Sequence, residues 1–332
     1  MTTLVSKIVS GTSSVNQLKK NFNIFSYYAK PILLPVIGML VFLFLWTIAA
    51  SSINTSLGKF PGPSAVGTQM VNLYQEHIAE RDKADAFYQR QEDRNAKRLA
   101  KEPTYVAKIR AYTGKETFLD QIVTSLVTVM SGFILAALIA IPLGIAIGLS
   151  KTLNTAINPI IQIFKPVSPL AWLPLVTMVV SALYVSDDPF FAKSFINSLI
   201  TVTLCCIWPM VINTSVGVAS INQDWDNVSK VLRLPKLKHI QKIVLPAAIP
   251  SIFTGMRMSL GVAWMVLIAA EMLAQNPGLG KFVWDEFQNG SSDSLSRIMT
   301  AVIVIGFIGF LLDRSMQKIQ YYVSWNKESA KL

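Results

Sequence analysis

Arg257 and Glu271 are the clearest ionisable residues lying inside long apolar stretches of this chain. A charge in a low-dielectric interior is costly enough to require a partner or a watery path, so each marks either a helix-to-helix tie or a point on a solute route. They stand fourteen residues apart, about 21 Å along one straight helix, so they share nearly one face but cannot pair with each other. A carboxylate at Glu271 would repel an anion, which favours a structural or gating role there. Ser168, Trp172 and Asn213 are further candidates for the path or its gate, among hydroxyls and amides that include Ser131, Thr177, Ser181, Asn197 and Thr201. Catalytic arrangements are missing. Cys205 and Cys206 are adjacent in an apolar run, with no C-x-x-C metal spacing, and read as small buried hydrophobes. The sequence has no G-x-x-x-x-G-K-[ST] phosphate loop, no Ser, His and Asp triad spacing and no paired-carboxylate site.

These residues must be positioned by membrane-spanning helices. The chain has 332 residues, 52% hydrophobic and 15% charged, well to the apolar side of a soluble domain. A span needs about 20 mostly apolar residues to cross a core near 30 Å. Residues 31–50 meet this with no charge and are too long for a signal-peptide core. Further runs lie at 119–149, 157–185, 195–218, 252–273 and 295–319, giving about six spans and an all-α, polytopic fold. The third is interrupted by Lys165, Pro166, Pro169 and Pro174, and the sixth has only 15 uninterrupted apolar residues before Asp313 and Arg314, so either is expected to kink or tilt. Gly144 and Gly148 in the second run have the spacing that brings helix backbones close.

The net charge of +11 does not form a stripe with interleaved aromatics, which argues against nucleic acid. It lies instead in alternate connections: residues 1–30, the second-to-third and fourth-to-fifth connections, and the segment after the last span. Basic loops face the cytoplasm, so both termini are expected inside. His77 and His239 then fall on opposite sides and cannot share a metal. This divides the chain into an inner tail (1–30), a first span (31–50), an external charged loop (51–118), a five-helix core (119–320) and an inner tail (321–332). The middle of the external loop, residues 73–101, is rich in Glu, Arg, Lys, Ala and Gln, with Tyr74, Ile78, Phe87 and Tyr88 too sparse to close a core. It reads as one or two exposed charged helices projecting from the membrane.

The connection at 224–250 carries the most information. Val228, Val231, Leu232, Leu234, Leu237, Ile240, Ile243 and Val244 recur at three- and four-residue steps while five basic residues take the other faces. Two short amphipathic helices are expected, with Pro235 in the first turn of the second and Pro246 and Pro250 ending it. A plain interfacial anchor and a partner-docking element both fit this pattern.

The run from Asn227 through Val228, Ser229 and Arg233 to Ile243, Leu245 and Pro246 resembles the coupling loop of ABC importer permeases. That family's pattern is Glu-Ala-Ala, three residues, Gly, nine residues, Ile, one residue, Leu-Pro. The spacing fits throughout. Asn227 stands where the family has Glu, Val228 and Ser229 where it has Ala, and Arg233 where it has Gly, so only Ile243, Leu245 and Pro246 match in type. Residues 166–174 (PVSPLAWLP), 253–257 (FTGMR), 269–273 (AAEML), Gly278-Leu-Gly280 and Val283-Trp-Asp285 follow in order and spacing similar to the nitrate, bicarbonate, sulfonate and taurine permeases. The Trp284-Asp285 region is nearest the nitrate and bicarbonate branch. The resemblance covers about residues 118–320, and the insert at about 73–115 departs from the shorter members. It implies a type I importer permease core in a bacterial inner membrane that moves a small inorganic anion, nitrate or nitrite first, with bicarbonate, cyanate or a sulfonate such as taurine as alternatives. The implied docking residues are Asn227, Val228, Ser229, Arg233, Leu237, Ile240, Ile243, Leu245 and Pro246. The implied partners are ATP-binding subunits that hold ATP and Mg, an external substrate-binding protein, a second permease copy or paralogue, and membrane lipid; the chain itself is expected to need no cofactor. A self-contained secondary transporter is the rival from another class, and paired broken helices in two related halves, its usual mark, are not evident.

Overall fold

A computed structural model describes residues 33–55, 58–102, 104–185, 190–291 and 293–324. The expected inner tail 1–30 and residues 325–332 of the expected inner tail 321–332 therefore lie outside the described residues, as do Asp187 and Asp188. The chain forms two compact units, 1–67 and 68–332. In the first, helix α1 (Leu33–Ser52) leads into a two-stranded antiparallel hairpin, β1 (Asn54–Thr55) and β2 (Gly58–Lys59). Trp46 Nε1 donates to the Pro61 carbonyl at 3.2 Å, which ties the chain after the hairpin back to α1.

Helix α2 (Pro63–Leu99) begins in that unit and supplies the first described element of the second. There follow α3 (Phe118–Leu149), α4 (Lys151–Phe164), α5 (Pro169–Leu183), α6 (Lys193–Ala219), α7 (Gln223–Val231), α8 (Lys236–His239), α9 (Leu245–Ala274), α10 (Leu279–Asn289) and α11 (Ser294–Val323). Five described helices are long and apolar enough to cross a membrane, and the bent α4–α5 pair makes up to six. An all-helical solution follows from the solvent: without water, each backbone N–H and C=O must find its partner within the segment.

The core forms where α3, α6 and α9 meet. Val129, Phe133, Ala136, Ala140 and Ile147 of α3 are buried at alternating steps of four and three, or the seven that one of each makes. They face Val202, Cys206 and Met210 of α6 and Leu260, Ala263 and Leu267 of α9. Cys206 is buried and Cys205 partly so, both as free thiols, as small hydrophobes would be. A Cβ added at Gly144 or Gly148 would lie 2.6 Å from Thr214 or Val218 of α6, so these glycines set the α3–α6 approach. Leu138 and Met265, on outward faces of α3 and α9, are 69% and 73% exposed. In a membrane such faces meet lipid tails.

One element kinks as expected, one extends slightly beyond its expected end and one departs from the expectation. The third run is two helices bent by 99° across residues 165–168, because Pro166 and Pro169 each lack the N–H that would carry the helix through. The sixth helix runs through Asp313 and ends at Val323, four residues beyond the expected 319. The prolines at 246 and 250 do not end the second amphipathic helix. A π turn at Ile240–Val244, with Leu245 N–H bonded to the Ile240 carbonyl five residues back, joins α8 to α9 without a break. The wider turn re-routes the bonds that proline cannot make, and the result is one continuous helix over Lys236–Ala274.

The charged insert is a single helix rather than a loose projection. Leu73 is buried in the core cluster. The chain beyond α2 returns along it, with Gln91 exchanging two bonds with the Arg110 backbone and Tyr112 N–H donating to the Tyr88 hydroxyl. This return segment satisfies side chains that the helix alone would leave to water.

Candidate coupling surface and translocation path

At the connection between α6 and α9, Asn222 caps α7 by accepting the Asp224 N–H at 3.0 Å. Ser229 is buried, and its hydroxyl lies 2.8 Å from His239 Nδ1, closing α7 against α8. Leu234 N–H donates to the Ser229 carbonyl, completing the turn. Arg233 occupies the left-handed region at φ 47°, where a glycine costs least, and this is the position at which the family pattern has glycine. Packing against the body falls to Val244, which joins Val218, Ala248 and Ile252 in a small second core. What remains outside is apolar: Val228 at 48%, Val231 at 82%, Leu232 at 63% and Leu237 at 67% exposure. Asn227 is exposed, Ile240, Ile243 and Pro246 are half-buried, and Leu245 is 37% exposed. The outward surface is thus an apolar patch formed by α7, its C-cap Leu232 and Leu237, of which only Leu237 lies on the helix that runs unbroken into the core, whereas Ser229 is turned inward to hold the turn.

Glu271 and Arg257 both have partners. The Glu271 carboxylate is fully buried; it accepts from the Ser125 hydroxyl at 2.8 and 2.9 Å and from the Gly280 N–H at 2.9 Å. Ser125 Oγ in turn accepts the Leu279 N–H at 2.9 Å. Two of the orphan N–H groups at the start of α10 are thereby satisfied, one by Glu271 of α9 and one by Ser125 of α3. The motif Gly278-Leu-Gly280 follows from this contact: a Cβ at Gly280 would lie 2.1 Å from the Ile268 carbonyl oxygen. Arg257 makes a two-point ion pair with Asp313 of α11, at 3.1 and 3.3 Å, beside a cavity of about 190 Å³.

At the α4–α5 bend, Ser168 caps α5 by accepting the Leu170 N–H at 3.3 Å. Phe164 stacks on Trp172 of α5 at 5.8 Å and on Trp208 of α6 at 6.0 Å. Both indole N–H groups are buried with no hydrogen-bond partner among the described residues. Asn213 donates its side-chain amide to the Pro209 carbonyl one turn back at 2.8 Å. The structure therefore groups Trp172 with Trp208 and leaves Arg257, Glu271 and Asn213 in separate contacts.

Near the start of α11, Arg297 binds Glu76 of α2 at 2.6 and 3.0 Å and Glu286 of α10 at 2.6 Å. The Arg297 hydrogen bond, and then its charge, hold the Glu76 carboxyl below its ordinary value despite partial burial. His77 lies 2.6 Å from the Thr117 hydroxyl, far from the turn that holds His239. Ser125, Asp313 and the Arg297–Glu76 pair were not legible in the sequence because each contact spans at least 56 residues. No group of three metal-ligating side chains occurs among the described residues.

Residues 140–322, which include the coupling surface, Arg257, Glu271 and Asp313, match the family described as the inner membrane component of binding-protein-dependent transport systems. The chain belongs to that family. It is a permease component and not an enzyme; ATP is bound by a partner ATPase, and a binding protein and an ATPase are the implied partners. Over 296 residues this permease is 35% identical to the bicarbonate transport system permease protein CmpB of Synechococcus elongatus, covering 89% of this chain and 90% of the relative. The nitrate import permease protein NrtB of Synechocystis is 41% identical over 194 residues, 58% of this chain and 66% of that one. The taurine permease TauC of Escherichia coli is 30% identical over 227 residues, 67% and 78% of the two chains. Among solved structures, an inward-facing MetNI methionine ABC transporter superposes with a TM-score of 0.54 at 12% identity, over 62% of this chain and 96% of that one. That likeness shows the importer-permease fold alone.

Proposed function

We propose that this permease carries a small inorganic oxyanion, nitrate or nitrite first, into the cell, with its termini and coupling surface inside and α2 outside. The observation that carries the cargo class is the 41% identity to a nitrate permease together with the 35% identity to a bicarbonate permease. Bicarbonate is the second reading, favoured by an alignment that spans nine-tenths of both chains. The lining agrees with a weakly held anion. Trp172 and Trp208 offer indole N–H donors with no partner among the described residues, and Arg257 offers a cation whose pull Asp313 offsets. A path must bind weakly enough to release, and the external binding protein supplies the affinity.

The apolar patch of Val228, Val231, Leu232 and Leu237 is the docking surface for the ATPase. Closure of the nucleotide-bound motor pushes this patch, and the unbroken helix from Lys236 to Ala274 carries the push to Arg257 and Glu271. In a deletion strain complemented with this chain and its ATPase, uptake of labelled nitrate is expected, and a sharp fall in Arg257→Ala. Leu237→Asp buries an unpaired charge in the docking groove at a cost of several kcal/mol, so ATP hydrolysis should uncouple from uptake. Accumulation of a sulfonate but not of nitrate, nitrite or bicarbonate would refute the cargo, and normal assembly and transport by Leu237→Asp would refute the docking surface.

A further inference from the structure

The insert carries a second charged feature that neither the path nor the coupling surface uses. Arg90, Arg94 and Arg98 recur every four residues along one face of α2, rising about 6 Å per step. The returning segment adds Lys108 and Arg110. Its position is fixed by bonds from Gln91 to the Arg110 backbone at 2.8 and 2.9 Å and from Asn95 Nδ2 to the Lys108 carbonyl at 3.2 Å. Together these five cations line an open cavity of about 880 Å³ that has no acidic residue in its wall. Glu92 and Asp93 on the same helix do not line it.

Elsewhere in the insert, basic residues meet acids: Arg81 binds Asp120 at 2.6 Å and Lys83 binds Glu80 at 3.2 Å. Within the cavity Arg90 and Arg98 bond only to the Ala86 carbonyl and the Tyr105 hydroxyl, and none of the five forms an ion pair among the described residues. Like charges four residues apart on a helix destabilise it, so the fold itself gains nothing from this row. A single nitrate or bicarbonate would fill a small part of the volume. A segment with several carboxylates spaced along about 12 Å matches both the length of the row and its charge.

We propose that this basic cavity docks an acidic surface segment of the external binding protein, an inference that rests on the reading of the chain as a binding-protein-dependent permease with α2 outside. Complementary charge at such a site accelerates encounter and fixes orientation. The test uses the full complex of permease and ATPase in phosphatidylcholine nanodiscs, with the cargo-loaded binding protein titrated and ATP hydrolysis measured. The double variant Arg94→Glu and Lys108→Glu should raise the half-saturating binding-protein concentration at least tenfold at low salt. The difference should shrink toward unity near 1 M salt, where the Debye length falls to about 3 Å. The double variant Arg94→Lys and Lys108→Arg should behave as the parent. An unchanged half-saturation in the charge-reversed complex overturns the proposal, as does a defect seen only with phosphatidylglycerol present, which would assign the cavity to anionic lipid. A parental complex that responds to no binding protein would instead remove the permease reading on which the proposal stands.

Discussion

Replacing Glu271 and Ser125 singly and together tests whether the buried carboxylate is a tie between helices. Glu271→Ala orphans the Gly280 N–H and the Ser125 hydroxyl, whereas Ser125→Ala orphans the Leu279 N–H and removes one donor from the carboxylate. On the scale of soluble proteins each unsatisfied buried group costs about 1–3 kcal/mol. Coupling between polar side chains of membrane helices is smaller, averaging about 0.6 kcal/mol and reaching about 1.7 kcal/mol, because the unfolded segments also find partners in the bilayer. Ser125 bridges a carboxylate and a backbone N–H at once, with both side chains fully buried, so this pair belongs at the top of that range. We expect a coupling energy of about 1.5 kcal/mol. Reversible unfolding of the four proteins in mixed micelles with a denaturing detergent provides the cycle. Single-variant losses that add to within about 0.3–0.5 kcal/mol would show independent sites and refute the bridged network.

Three further outcomes follow from local geometry. Gly280→Ala forces a Cβ onto the Ile268 carbonyl, whereas a Cβ at Gly261 meets nothing within 4 Å; the first should cost about 1–3 kcal/mol and the second little, measured by the same unfolding assay. Arg233→Gly relieves the left-handed strain at φ 47°, worth about 1–2 kcal/mol before the entropy cost of glycine, so resistance of the 231–236 turn to proteolysis should rise; Arg233→Val should lower it. Because the Glu76 carboxyl is held below its ordinary value of 4.5, its contribution is present above that value and is lost as pH falls through the folded-state value. Hydrogen exchange in α2 around Glu76 should therefore increase in acid, and Glu76→Gln should remove that acid-dependent step while leaving faster exchange at neutral pH.

Composition and run length were enough to set the solvent of the protein and most of its helices, because long apolar runs leave backbone groups no partner except within a helix. The sequence also located the amphipathic segment proposed to dock the ATPase, whose apolar repeat at Val228, Val231 and Leu237 is local periodicity along one stretch of chain. The order and spacing of Gly278-Leu-Gly280 and Ala269-Ala-Glu271 were legible too, but not their meaning. That Glu271 and Ser125 together cap α10 emerges only from the folded chain, since the two residues lie 146 apart and the deciding term is distance in space. The same holds for Arg257, whose partner Asp313 lies 56 residues away on another helix. Proline rules predicted a break at Pro246, and a π turn, which has no compositional mark, kept the helix whole. The insert was legible as charged and helical. The pairing of its return segment with α2, which gathers Lys108 and Arg110 beside the arginine row, depends on side-chain-to-backbone bonds that no periodicity in the sequence records.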